Sequence, residues 1–149
     1  MIDRLARLKL VVDYCTSVPG QALAIALFQR LGEVRQFRRQ QATTQRDVLQ
    51  EELRRRLPEW RWRTPDGGLS VWVQLPRGLS VEFCQVAQRH GLVLTPGSLA
   101  SPGAGSVDRI RLPFVLEPDV LREGVRRLEA AWKEYDQSVG RGPVRHVIV

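Results

Sequence analysis

The chain has 149 residues, 43% hydrophobic and 26% charged, with a formal net charge of +7. That balance fits one ordinary globular domain with a core and excludes a disordered chain. No apolar run approaches a membrane span, and "MIDRLARLKLVVDY" carries charges inside its apolar pattern with no small-residue cleavage site, so neither a membrane partner nor a secretory signal is expected. Cys15 and Cys84 are far apart and lack metal-ligand spacing, which reads as thiols in a reducing cytoplasm.

Ile2, Leu5, Leu8 and Val12 recur at helical spacing and predict a helix over 2–14. "TSVPG" breaks the chain, and "GQALAIALFQRL" predicts a second helix over 20–31 that is apolar nearly all round. Such a helix needs neighbours on several sides. Gly32 is read as its end. A long polar helix is expected over 33–57, with Val34, Phe37, Val48, Leu49, Leu53 and Leu57 as its apolar positions, an exposed middle "RRQQATTQR", and Pro58 as its stop.

"EWRWRT" alternates Trp60, Trp62 and Thr64 against Arg61 and Arg63, a short amphipathic strand. "PDGG" is a turn. "LSVWVQLP" is the clearest strand, with Leu69, Val71, Val73 and Leu75 on one face and Ser70, Trp72 and Gln74 on the other. Ser80 is the expected N-cap of a helix over 81–90 that Gly91 ends. "LVLTPG" reads as a short strand stopped by Pro96, and "SLASPGAGSV" as a loop. "RIRLPF" is the next strand. Pro113 has no N–H to give a ladder, so that strand is at an edge or ends there. The last helix runs from Pro118 to about Val139 with a stripe of Leu121, Val125, Leu128, Trp132 and Tyr135; residues 140–149 are a tail. The order α-α-α-β-β-α-β-β-α gives an α+β class: a small, mostly antiparallel sheet with helices packed on one face.

The basic balance raises the question of nucleic acid. The cations, however, are 21 Arg and only two Lys among 23. In "LQEELRRRLPEW" the pairs Glu51–Arg55 and Glu52–Arg56 have the favourable helical spacing, so Arg54, Arg55 and Arg56 read as a solvated, ion-paired face. His90 and His146 have no ligand partners at metal spacing, and His90 suits a helix C-terminus. No nucleophile elbow, Cys/His pair or glycine-rich phosphate loop occurs, so neither a catalytic nor a metal-binding residue is assigned.

What is left is "DRIRLPF". In a strand Ile110, Leu112 and Phe114 share one face and Arg109 and Arg111 the other. Arginine's planar fork donates two parallel hydrogen bonds to a carboxylate, so either arginine could clamp a small anion behind the Gly/Pro-rich loop. The other reading is a sheet-edge cation in a surface ion pair.

Five stretches in order, "LKLVVDYCTSVPGQALAIALF", "TQRDVLQEEL", "PDGGLSVWVQLP", "HGLVLTPGS" and "DRIRLPFVLEPDVLREGVRRLEAAW", resemble the C-terminal part of a class I/II, pyridoxal 5'-phosphate (PLP)-dependent aminotransferase. The variant is the one found in 2-aminoadipate-type transaminases and GntR/MocR-like regulators, and the resemblance covers about residues 2 to 135. In that family the strand arginine before a short apolar-small-aromatic run binds the substrate's α-carboxylate. "RLPF" matches it and selects Arg111; Arg109 has no such role. Departures are Leu99 and Ala42, standing near places where the family commonly has aromatics, and "QRD" in place of "RRD".

The resemblance implies a division of the chain: 1–31 as helices that belong to a preceding large cofactor-binding domain, 32–142 as the aminotransferase small domain, and 143–149 as a tail. It implies PLP, an amino acid or 2-oxo acid substrate and a homodimer for the whole protein, in the cytoplasm. Cofactor chemistry needs a lysine Schiff base, an acid on the pyridinium nitrogen and a phosphate cradle, which the family supplies ahead of the stretch matched here. Lys9 and Lys133 do not stand in the family's "SK…PGLR" context. The chain is therefore expected to be a C-terminal piece with no covalent cofactor and no catalysis of its own. The alternative is the effector-sensing domain of a MocR-type regulator, where nucleic acid would be bound only through an N-terminal winged helix.

Overall fold

A computed structural model describes residues 2–12, 17–101 and 105–139, without the side chains at positions 6, 8 and 10–12. The predicted end of the first helix at 13–14, Cys15, the "PGA" of the loop at 102–104, His146 and the tail lie outside the described residues. The elements are α1 (Ile2–Val12), α2 (Val18–Gln29), α3 (Leu31–Arg56), β1 (Arg61–Trp62), β2 (Ser70–Gln74), α4 (Ser80–Arg89), β3 (Thr95–Pro96), α5 (Gly97–Ala100), β4 (Arg109–Pro113) and α6 (Pro118–Val139). The chain separates into two compact units, residues 1–40 and 41–149. No described helix is long and apolar enough to cross a membrane.

The first unit holds α1, α2 and the start of α3. Ser17 caps α2, its hydroxyl accepting from the Gly20 N–H at 3.4 Å. Gly32 does not end this helix. The break comes at Arg30 (φ −114°, ψ 25°), and Gly32 lies in the first turn of α3. The apolar circumference of α2 finds no cover, for none of its residues is buried and Ile25 and Phe28 are 63% and 69% exposed.

The second unit is the predicted α+β layer. Its four strands are all antiparallel in the order β1-β2-β4-β3. The register sets Val71 opposite Leu112, Trp72 opposite Arg111 and Val73 opposite Ile110. Period-two alternation therefore gives the sheet one apolar face, and the helices cover it. Val71, Val73, Leu75, Ile110, Leu112 and Phe114 join Leu49, Leu53 and Leu57, Phe83 of α4 and the whole α6 stripe in one buried core. Burying each such side chain is worth roughly 1.5–3 kcal/mol. At the centre Trp60, Phe83 and Trp132 meet edge to face, with centroids 5.5–5.6 Å apart, the geometry that ring quadrupoles favour.

Several local expectations change. β4 is an interior strand; Pro113 ends it, as one of the two readings allowed, but does not place it at an edge. Leu69 falls outside the core at 55% exposure. "EWRWRT" yields only the two-residue β1, and the "SLA" of the loop continues Gly97 into a helical turn. Ser80 is not a cap. It is the first residue of α4, its N–H goes to the Val107 carbonyl, and its buried hydroxyl has no partner among the described residues. Tyr135 secures this corner instead: its hydroxyl accepts from the Leu79 N–H at 2.8 Å and bonds Glu82 Oε2 at 3.0 Å. Within "RRQQATTQR", Gln45 is buried while most of the stretch is exposed.

Gly97 has a structural duty that its sequence context only hints at. A Cβ there would lie 2.2 Å from the Ser106 carbonyl oxygen and 2.8 Å from that of Arg109. Both are backbone atoms, so the contact cannot be relieved by a rotamer change. The absence of a side chain is what lets β3 and α5 lie against the entry of β4. Gly124, inside α6, has nothing within 4 Å of its would-be Cβ. Gly97→Ala should therefore lower the unfolding free energy by about 2–4 kcal/mol, whereas Gly124→Ala should raise it by up to about 1 kcal/mol through helix propensity, both measured by urea denaturation.

Candidate functional site

The face of the sheet away from the helices carries the polar alternates. On β2 these are Ser70, Trp72 and Gln74; on β4 they are Arg109 and Arg111; Arg61 opposes Gln74 from β1 and Thr95 opposes Arg111 from β3. Arg111 is thus the middle of a row Trp72–Arg111–Thr95 across three strands. Its neighbours Ile110 and Leu112 are buried and it is exposed, so the strand's alternation alone decides where the guanidinium goes.

The two arginines differ in what they meet. Arg109 approaches the Asp108 carboxylate, Nε to Oδ1 at 3.9 Å, and the same carboxylate accepts from Gln74 Nε2 at 2.7 Å. Arg111 uses only its Nε, which donates to Ser70 Oγ at 3.0 Å. No carboxylate of the described residues pairs with it, and neither terminal nitrogen has a partner there. The surface-ion-pair reading consequently fits Arg109, on an interior rather than an edge strand, and does not fit Arg111. An open hollow lined by Glu59, Arg61, Gln74, Leu75, Pro76 and Arg77 lies at the Gln74 end of this face, with Arg111 outside it.

Several other cations are occupied. Arg55 and Arg56 both bond Glu52, at 2.6 and 3.0 Å, and Arg56 also reaches Glu129 of α6 at 3.0 Å. The predicted partner of Arg55 was Glu51, four residues away; the one it takes is three away. Arg54 lies over the Trp62 ring, 5.9 Å from its centroid. On α6, Arg126 and Arg127 flank Glu123 at 2.7 Å and hold its carboxyl far below the usual carboxylate range. Hydrogen bonds from Lys133 and Arg56 also lower the carboxyl of Glu129. Arg55, Arg56, Arg126, Arg127 and Lys133 are thus ion-paired on their helix faces.

His90 stands at the C-cap of α4 as expected, and its Nε2 lies 2.8 Å from Glu134, a partner 44 residues away that spacing rules could not supply. Among the described residues no group of three or more His, Cys, Asp or Glu could hold a metal ion. Cys84 is half-buried, and burial pushes its thiol up to about 11, so it is a packing residue rather than a nucleophile. Sequence reasoning missed Ser70. The signal was present in its parity with Trp72 and Gln74, yet the partner of Arg111 follows only from the pairing of β2 with β4.

No family model matches the chain. Two curated relatives do. The chain is 31% identical over 139 residues to the 2-aminoadipate transaminase of Thermus thermophilus, covering 89% of this chain and 34% of the relative. It is 28% identical over 142 residues to aromatic-amino-acid aminotransferase 1 of Thermococcus litoralis, covering 89% and 33%. Among solved structures, the α-aminoadipate aminotransferase of T. thermophilus, in complex with N-(5'-phosphopyridoxyl)-L-leucine, superposes with a TM-score of 0.77 at 28% identity, over 92% of this chain and 36% of that one. The chain is a relative of the PLP-dependent aminotransferases. It spans about a third of the length of the curated relatives it matches.

In this aminotransferase relative, fold and site can be separated by adjacent substitutions on opposite faces of β4. Arg111→Ala should change the unfolding free energy by no more than about 0.5 kcal/mol, since it removes one exposed hydrogen bond. Leu112→Ala should cost about 2–5 kcal/mol, the range for emptying a core site. Urea denaturation of the two variants checks both.

Proposed function

We propose that the chain is the C-terminal, substrate-carboxylate-binding domain of a PLP-dependent aminotransferase that exchanges amino groups between an amino acid and a 2-oxo acid, with Arg111 as the carboxylate clamp. The observation that carries this reading is the open end of the Arg111 guanidinium: a planar pair of donors on a rigid strand, with no carboxylate of the described residues in reach. The divisions 1–31, 32–142 and 143–149 belong to the same proposal.

The cofactor would be held by residues other than those described. Lys133 donates to Glu129 at 2.7 Å on the solvent side of α6, and Lys9 is exposed on α1. Neither has the acid and phosphate cradle that the cofactor needs, so the described residues do not fit PLP, and no chemical step is assigned to them. In this reading the uncovered α2 would be buried by a cofactor-binding domain or by a second copy of the protein in a dimer. The alternative of an effector-sensing domain in a MocR-type regulator has no observation in its favour here.

Two outcomes test the proposal. Titration of the chain with pyruvate, a simple 2-oxo acid, followed by NMR of 15N-labelled arginine side chains, should perturb Arg111. Arg111→Ala should weaken that binding at least about fivefold more than Arg109→Ala does, as one charge-assisted bidentate pair requires; equal effects would remove the assignment. After incubation with PLP and dialysis, the chain should retain no lysine–PLP aldimine absorbance; a retained band that disappears in Lys9→Ala would overturn the expectation that it holds no covalent cofactor.

A further inference from the structure

We infer that Ser70 is a positioning residue for Arg111, selecting which edge of the guanidinium is offered to a carboxylate; this rests on the carboxylate-clamp reading above. A guanidinium has two kinds of edge from which a pair of parallel N–H bonds can leave, the end formed by its two Nη atoms and the side formed by Nε and one Nη. Ser70 Oγ takes the Nε proton at 3.0 Å. The side edge is then engaged, and the end edge is the bidentate donor that is left.

The backbone explains why this serine can reach. Ser70 opens β2 and stands opposite Pro113 in the ladder, two residues beyond Arg111 and on the same face. The Arg111 side chain leans along its strand toward that position, and the small hydroxyl-bearing residue leaves room for it. Trp72 opposes Arg111 on one side and Thr95 on the other. Neither Trp72 nor Thr95 bonds the guanidinium. Among the described residues Ser70 is its one hydrogen-bonding partner. Without it, a long side chain with no ion pair would sample many rotamers, and a carboxylate would have to order it on binding. The anchor does part of that ordering beforehand.

The test compares the full chain with Ser70→Ala and Ser70→Thr, reading the Arg111 Nε–H signal and its exchange with water by 15N NMR. Ser70 is half-exposed at the start of a strand, and the backbone spectrum confirms that each variant is folded. Nε–H exchange should accelerate about five- to tenfold in Ser70→Ala, the equivalent of one net hydrogen bond, and return toward the parent rate in Ser70→Thr. Unchanged exchange in Ser70→Ala would overturn the inference. With pyruvate present, the parent and Ser70→Thr should respond at the Nη groups. Ser70→Ala should bind more weakly and shift its response to Nε; an identical pattern in parent and Ser70→Ala would also overturn it. If the parent gives no Arg111 response to pyruvate, the clamp reading fails. The exchange rates then still decide whether Ser70 holds the side chain.

Discussion

Ile110, Leu112 and Phe114 must be removed from water, and the open face of the sheet depends on that constraint. β4 is a central strand, so its apolar alternates have one place to go, into the layer formed by the C-terminal half of α3, α4 and α6. Each of those side chains contributes on the order of a few kcal/mol by burial. Turning the strand over would expose all three and bury two guanidinium groups, a cost no local contact could offset. Arg109 and Arg111 are outside because their neighbours are inside.

The same constraint makes the site rigid without making it stable on its own account. Arg111 is exposed, yet it projects from an interior strand of the sheet, with hydrogen-bonded strands on both sides. Gly97 adds the close approach that keeps β3 beside β4 and so Thr95 beside Arg111. In the proposed clamp, a group placed this way would be preorganised by packing elsewhere in the molecule, which is how weak polar contacts gain geometric specificity. The ion-paired arginines of α3 and α6 serve a different end, balancing charge on faces that point away from the sheet.

Legibility of the sequence tracked the range of the interaction. The α6 stripe from Leu121 to Tyr135 and the alternation of Val71, Val73, Ile110, Leu112 and Phe114 were readable because helix and strand periods are local properties of the backbone. So was the apolar circumference of α2, which the structure leaves uncovered. The failures share a different cause. Ser80 looked like a cap because serine before a helix usually is one, but Tyr135, 56 residues from Leu79, supplies the hydroxyl that binds the Leu79 N–H. Pro113 left two readings open, an edge strand or a strand end, and only the strand order decides for the end, where the missing N–H costs little. His90 and Glu134, and Arg56 and Glu129, are pairs that no spacing rule connects.

The sequence by itself determined the class of the fold and the division of β4 into a core face and an arginine face, because alternation and periodicity follow from backbone geometry. Its resemblance to the aminotransferases also favoured Arg111 over Arg109. Only the tertiary structure supplied the physical difference between the two arginines. That difference depends on which strand lies alongside: β2 brings Ser70 to Arg111 and Gln74 to Asp108, and strand order is set by long-range packing that no local pattern encodes.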